Sequence, residues 1–172
     1  MSTKKISQIV VILIFLASTI SCDQISKSIV RHKVYNYEQI SLLGKYMTLT
    51  KVENTGAFLS VGNSLPKGLK IIFLMFIPLI VLGGGFFYML KKNNLSFWTL
   101  MATGFIIGGG IGNIYDRFVY GSVTDFFHID FVIFQTGIFN MADVSVMVGM
   151  FILLGEFYLK RVRLTYNKPD SL

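Results

Sequence analysis

The sequence predicts an all-α membrane protein with four transmembrane helices, a small extracytoplasmic β-sheet segment and a surface flap loop. Of its 172 residues, 53% are hydrophobic. The mean hydropathy of +0.62 exceeds what one buried core explains. The apolar residues also gather into four long runs set apart by polar or basic stretches. A carboxylate, Asp143, stands inside the last run, and an ionised carboxylate within hydrocarbon costs a few kcal/mol or more and needs a reason.

The spans are expected at about 6–30, 69–90, 97–114 and 138–159, within a single integral membrane domain covering 1–172. At about 1.5 Å per residue the last three reach roughly 33, 27 and 33 Å, which matches a hydrocarbon core of about 30 Å. The first run has a second reading. Lys4-Lys5, an apolar stretch and Thr19-Ile20-Ser21-Cys22 look like a secretory leader ending in a lipid-modified cysteine. Against cleavage, Asp23, Ser26 and Lys27 continue a helical pattern with Ile25, Ile29 and Val30, and three further spans follow. Cys22 is the only cysteine, so no internal disulfide can form and the redox compartment is not legible.

Extracytoplasmic segments are expected at about 31–68 and 115–137. In the first, Tyr46-Met47-Thr48-Leu49-Thr50 alternates in the manner of a strand. Asn54-Thr55-Gly56-Ala57-Phe58 breaks that pattern with a turn. Ser64-Leu65-Pro66 predicts a helix start, and Pro78 a kink within the second span. In the third span, Gly104, Gly108 and Gly112 recur at four-residue spacing beside Gly109 and Gly110. Such a small stripe lets another helix approach closely in lipid. It lacks the lysine and the strand-to-helix setting of a phosphate loop.

Four crossings put both termini on one side. Lys4, Lys5, Lys91, Lys92, Lys160, Arg161, Arg163 and Lys168 lie in the short segments on that side, and the other half of the 16 Lys and Arg lies opposite. Short basic segments near helix ends weigh most in the positive-inside rule, so both termini are expected in the cytoplasm. The net charge of +7 then reads as topology and lipid contact. No basic patch with interleaved aromatics suggests a nucleic-acid groove.

Depth brings the polar residues together. Asp23 lies about 18 residues beyond Lys5, roughly 27 Å along a helix and so near the outer interface. Asn113, Asp116 and Asp125 follow the outer end of the third span, and Asn140 and Asp143 open the fourth. A set of carboxylates and amides converging at one level is better explained by a site than by separate interfacial roles.

The blocks Asp23-Gln24-Ile25-Ser26-Lys27, Asn54-Thr55-Gly56-Ala57-Phe58, Gly110-Ile111-Gly112-Asn113-Ile114-Tyr115-Asp116-Arg117, Val123-Thr124-Asp125-Phe126 and Phe139-Asn140-Met141-Ala142-Asp143 closely resemble, in order, those of the bacterial lipoprotein signal peptidase (signal peptidase II) family. The resemblance runs over about residues 10 to 160. One departure is Gln135-Thr136-Gly137-Ile138, where the family frequently carries Trp and Pro, which puts the local loop shape in question. The resemblance implies an aspartic endopeptidase in the bacterial inner membrane, with its active site near the outer face. It would cut prolipoproteins just before a cysteine already carrying diacylglycerol, as a monomer among membrane lipids, without metal or other cofactor. It further implies Asp125 and Asp143 as the catalytic dyad. Asn54, Gly56, Asn113, Asp116, Arg117 and Asn140 would bind substrate or support the site, and Asp23 and Lys27 would brace the first helix. Arg117 is expected to neutralise the carboxylates or to hold Asp116. The 31–68 segment is expected to cradle substrate, and Phe126 to Phe134 to cover the site as an apolar flap.

The chemistry of the two aspartates agrees. Carboxylates held close share a proton, so that one activates water while the other serves the scissile carbonyl. The alternatives are a proton-coupled transporter, which would place its aspartates nearer the midplane of a larger bundle, and a non-enzymatic membrane assembly protein. A metallohydrolase using His128 and Asp130 lacks a His-Glu-x-x-His motif. For a serine protease, Ser122 and Ser145 lack a nucleophile motif, and His32 and His128 lack an evident partner.

Overall fold

A computed structural model of the protein describes residues 3–57, 62, 64–92, 95–131 and 133–166. Phe58 of the second block and Lys168 lie outside them, as does residue 132 of the expected flap. The elements run α1 (Thr3–Lys33), β1 (Gln39–Ser41), β2 (Met47–Asn54), α2 (Lys67–Lys91), α3 (Phe97–Tyr120), β3 (Val123–Ile129) and α4 (Met141–Tyr166). All four helices are long and apolar enough to cross a membrane.

Contacts at the two ends fix the helix directions. At one end the Gln8 side-chain amide, near the start of α1, donates to the carbonyls of Met89 and Lys92 at the end of α2, at 2.8 and 3.1 Å. At the same end Ser96 and Thr99 at the start of α3 bond Glu156 on α4. The helices therefore alternate in direction, and the sheet lies at the other end. Their outer faces carry Leu13, Ile14, Phe73, Ile80, Phe87, Phe151 and Phe157, all exposed. Their inner faces bury Asp23, Lys27 and Asp116. Burying little apolar surface against itself, such a bundle depends on close packing and internal polar bonds.

Helix α3 is central because its small residues point three ways. A Cβ at Gly104 would come within 2.9 Å of Phe15 on α1, one at Gly109 would strike the Ala142 carbonyl of α4, and one at Gly110 would meet Leu82 of α2. The expected small stripe is thus a contact surface for every other helix. In α2 the hydrogen bonding switches to a π-turn over Ile72–Phe76, just before Pro78. Proline's missing N–H and its ring, which crowds the preceding turn, account for irregularity at that place.

The span limits differ from expectation at two points. Helix α3 continues past 114 to Tyr120, so Asn113, Asp116 and Arg117 sit on its last two turns. It stops at Gly121, whose φ of +78° suits glycine and whose N–H bonds the Arg117 carbonyl. Helix α4 begins at Met141, so residues 138 to 140 belong to the approach.

The small sheet has the order β1-β2-β3, antiparallel throughout. Strand β3 takes in Phe126 to Ile129, which the sequence assigned to a flap. Phe126 is buried with Val30 of α1 and with Val34 just beyond it, so the front of that apolar stretch anchors the sheet. Only its far part, with Phe131, Ile133 and Phe134 exposed, stands clear of the body.

Gly109→Val should lower stability by about 1–3 kcal/mol or more through overpacking. Gly83→Ala adds a methyl with nothing within 4 Å and should leave stability unchanged or slightly raised. Thermal unfolding in detergent checks the pair, and equal losses would refute the close-approach account.

Candidate active site

The carboxylate of Asp125 is set by the sheet. Asn54 pairs with Val123 and Val52 with Asp125, which makes Asn54 and Asp125 diagonal neighbours on adjacent strands. The Asn54 side-chain amide donates to Asp125 Oδ2 at 2.9 Å and to the Ala57 carbonyl at 3.0 Å. Its Oδ1 accepts from the Gly56 N–H at 2.9 Å. The turn after β2 is thus built around one asparagine, which also fixes one face of Asp125.

Asp143 is placed by a helix start. Its Oδ2 accepts from the Asn140 N–H at 3.1 Å, and Asn140 Oδ1 accepts from the Asp143 N–H at 3.0 Å. This is a reciprocal capping box with Asn140 at the N-cap and Asp143 three residues on. The field at a helix N-terminus favours a negative charge, which offsets the cost of holding Asp143 near hydrocarbon.

The chain between the two aspartates returns on itself to unite them. After β3, Phe139 pairs back against Phe127, donating to its carbonyl at 2.9 Å and accepting from its N–H at 2.8 Å. That return sets Asn140 beside Asp125, to whose Oδ1 its side-chain amide donates at 2.6 Å. The fully buried Asn140 therefore touches both carboxylates, Asp125 through its amide and Asp143 through the cap. In the Gln135-Thr136-Gly137-Ile138 stretch, Thr136 bonds Ile129 through backbone and hydroxyl, and Gln135 bonds Asp130 at 3.0 Å. Polar ties to β3 shape this loop.

Beneath the pair lies a buried cation. Lys27 is wholly inaccessible, and its ammonium meets Asp23 at 2.8 Å, Asp116 at 2.9 Å and Asn113 Oδ1 at 2.9 Å. Three donors thus find three acceptors. Because Lys27 occupies its oxygen, Asn113 must turn its amide nitrogen to Asp143 Oδ1, at 2.9 Å. Asp23 also accepts from the Ala142 N–H at 2.9 Å, satisfying another free donor of the first turn of α4.

Asp116 does not join the two carboxylates above. It is fully buried against Lys27 and against Arg31, at 2.9 Å each, so it belongs with Asp23 and Lys27. Nor does Arg117 hold Asp116: its guanidinium donates to the carbonyls of Gly56 at 2.8 Å and Asn113 at 3.2 Å, tying the turn to α3. The amides of Asn54 and Asn140 are spent on Asp125 and nearby groups, so they hold a carboxylate where substrate contact was expected. Sequence reading missed Arg31, Thr124 and Glu53. Arg31 Nε donates to Thr124 Oγ1 at 2.8 Å, and Thr124 donates to Glu53 at 2.9 Å. The signal was present, since Asp23, Lys27 and Arg31 repeat every four residues on one face of α1.

Burial raises the Asp125 carboxyl to about 6; the Asn54 hydrogen bond lowers it, the Asp143 charge raises it and the Asn140 hydrogen bond lowers it. A cleft of about 400 Å³ opens beside it, lined by Asn54, Asp125, Thr48, Thr50, His128 and Thr136 among others. Among the described residues no three His, Cys, Asp or Glu side chains converge as metal ligands would. The arrangement suits two carboxylates sharing a proton next to a space open to a peptide.

Comparison with known proteins gives the family and the fold. The family model described as signal peptidase (SPase) II matches residues 13–159. A lipoprotein signal peptidase of Streptococcus pneumoniae is 36% identical over 151 residues, covering 88% of this chain and 92% of that protein. One of Borrelia duttonii is 38% identical over 149 residues, covering 83% and 86%. Among solved structures, a bacterial membrane enzyme determined by the in meso method shares the fold, with a TM-score of 0.79, 22% identity and coverage of 94% and 93%.

Lys27→Met should leave Asp23 and Asp116 buried around a lost charge, at a cost of about 3–5 kcal/mol. Loss of folded, monodisperse protein on size exclusion is the expected outcome. A variant that folds and melts like wild type would show the cation to be dispensable.

Proposed function

This chain belongs to the signal peptidase II family, and we propose that it works as an aspartic endopeptidase on diacylglyceryl-modified prolipoproteins, with Asp125 and Asp143 as its catalytic pair. As a member of that family it removes the signal peptides of lipoprotein precursors. The observation that carries the aspartic reading is the linkage of the two carboxylates through Asn140, one from a strand and one from a helix start. No other function is favoured by any feature of the site.

In this reading the pair holds one proton. The unprotonated carboxylate takes a proton from water as its oxygen attacks the scissile carbonyl carbon, while the protonated partner gives its proton to the carbonyl oxygen. Collapse of the tetrahedral adduct breaks the C–N bond, and the cysteine nitrogen leaves with a proton returned by the pair. The titration belongs to the pair, so neither aspartate is assigned one fixed role. Asn54 and Asn140 orient Asp125, and Asn113 and Asn140 orient Asp143. Gly56 and Arg117 shape the turn beside the dyad, Asp116 joins Asp23 and Lys27 as a brace, and no metal or cofactor is required.

The sheet end of the bundle is taken as the outer face of the inner membrane, with both termini in the cytoplasm, by the distribution of Lys and Arg. A single chain contains every group the reaction uses, which supports a monomer among membrane lipids. The sheet is read as the substrate cradle, and the exposed Phe131, Ile133 and Phe134 as the part that covers a bound peptide.

Purified wild type should cleave a diacylglyceryl prolipoprotein in detergent, insensitive to chelator. Asp125→Asn and Asp143→Asn should stay folded and lose activity by about 10³-fold or more. Retained cleavage in both variants would overturn the dyad. The pH profile supplies a second check. Asp125 is raised above an ordinary carboxylate, so it keeps its proton up to about 6; above that the acid of the pair is lost. Accordingly kcat/KM should fall on the alkaline side through a midpoint near that value, and kcat at a higher pH, because bound peptide excludes more water from the pair. A profile flat across this range would contradict the shared proton.

A further inference from the structure

The last turn of α1 carries Arg31, His32 and Lys33 in succession. A helix C-terminus favours cations, but its field amounts to only about half a negative charge. Lys51 of β2 already serves that end, its ammonium donating to the Arg31 carbonyl at 3.3 Å. Arg31 is occupied by Asp116, by Thr124 and by the Tyr120 ring, whose centroid lies 3.8 Å from its guanidinium carbon. The Lys33 ammonium, by contrast, has no partner among the described residues. His32 spends one nitrogen, Nδ1, on the Ser28 carbonyl at 2.7 Å. More positive charge stands here than the helix end requires.

These groups wall a hollow of about 470 Å³, lined by Arg31, His32, Lys33, Tyr35, Asn36 and Lys51 among others. Its shape is fixed by backbone: Asn36 pairs with Lys51, and the Tyr37 N–H donates to the Lys51 carbonyl at 3.2 Å, which ties the chain after α1 to β2. None of the described lining residues is acidic. The closest carboxylate along the chain, Glu38, accepts from the Tyr35 N–H at 2.9 Å. Because the first span reaches Lys33, the hollow lies where the helix leaves hydrocarbon. The exposed rings of Tyr35 and Tyr37 mark the same level, since tyrosine collects at lipid headgroups. We propose that this hollow binds the phosphate of an anionic lipid headgroup, with Lys33 and Lys51 as its charged contacts. The diacylglyceryl group of a prolipoprotein carries no phosphate, so the ligand is a second lipid, distinct from the one attached to substrate. A zwitterionic headgroup fits less well, because its own cation competes with the lysines for the phosphate. Lys33 belongs to α1 and Lys51 to β2, so a phosphate held by both fastens the sheet to the bundle.

Binding of this kind needs no cleavage, so its test is separate from that of the peptidase. Wild type is placed in nanodiscs of phosphatidylcholine, alone or with phosphatidylglycerol, whose phosphate has no compensating cation. Phosphatidylglycerol should raise the melting temperature by about 3–6 °C, and Lys33→Gln/Lys51→Gln should lose most of that gain. In native mass spectrometry the double variant should hold phosphatidylglycerol about tenfold or more weakly than wild type. Lys45→Gln/Lys67→Gln removes as much charge from the same side, outside the hollow, and should keep the gain. A wild type without the gain, a double variant that retains it, or a control pair that loses it equally overturns the site. Inorganic phosphate added to phosphatidylcholine discs should give no shift; one equal to that of phosphatidylglycerol would refute the lipid headgroup as ligand. Should the double variant fail to fold, Lys33→Gln alone, which removes an exposed ammonium without a partner, decides. A reduced gain then supports the hollow, and an undiminished one refutes it.

Discussion

A lysine ammonium with no access to solvent holds the upper end of this bundle together. Lys27 touches α1 through Asp23 and α3 through Asp116 and Asn113, and Asp23 passes the connection to the first turn of α4 through Ala142. An isolated charge so placed is very costly, but with Asp23, Asp116 and Arg31 it forms a group of two cations and two anions. In lipid, where apolar burial between helices contributes little, such a group fixes which faces meet. Gly112 of α3 faces it, and a Cβ there would take the space the Asp23 carboxylate occupies.

The proposed catalytic pair inherits its order from that group. Asn113 presents its amide nitrogen to Asp143 because Lys27 has claimed its oxygen, and Asn140 is locked by Asp125, Asn113 and the cap of α4. Both carboxylates are consequently set before any substrate arrives, which is the condition for positioning to lower a barrier. Their surroundings differ: Asp143 sits in the field of a helix start, and Asp125 on a strand with neutral amide donors only.

Much of this was legible in the sequence, for reasons that also explain what was not. Spans show as long apolar runs, and Asp143 shows because a carboxylate in such a run is anomalous. Strand β3 was hidden because Phe126 to Phe134 is nearly all apolar, a pattern that fits a flap, a buried strand or a helix equally. Its partner β2 lies about 70 residues upstream, as in the Asn54 to Asp125 bond, and local periodicity does not report such pairing. The end of α3 was placed too early because polar residues at 113, 116 and 117 look like an exit from the membrane. They remain helical because Lys27, Arg31 and the Gly56 carbonyl satisfy them from inside.

The division of labour between bundle and sheet has a further consequence. One carboxylate of the proposed pair belongs to a spanning helix and the other to a sheet outside the spans, so the pair exists only while the sheet is docked. Docking is secured on both sides of β3. On one side Asp125 bonds Asn54 and Asn140; on the other Thr124 accepts from Arg31 and donates to Glu53, which also accepts from Ser122. Adjacent residues of a strand point to opposite faces, so Thr124 and Asp125 clamp the strand between α1 and the polar site. The residues that hold the sheet are therefore as much a condition of the chemistry as the aspartates, although Arg31, Thr124 and Glu53 touch neither carboxylate.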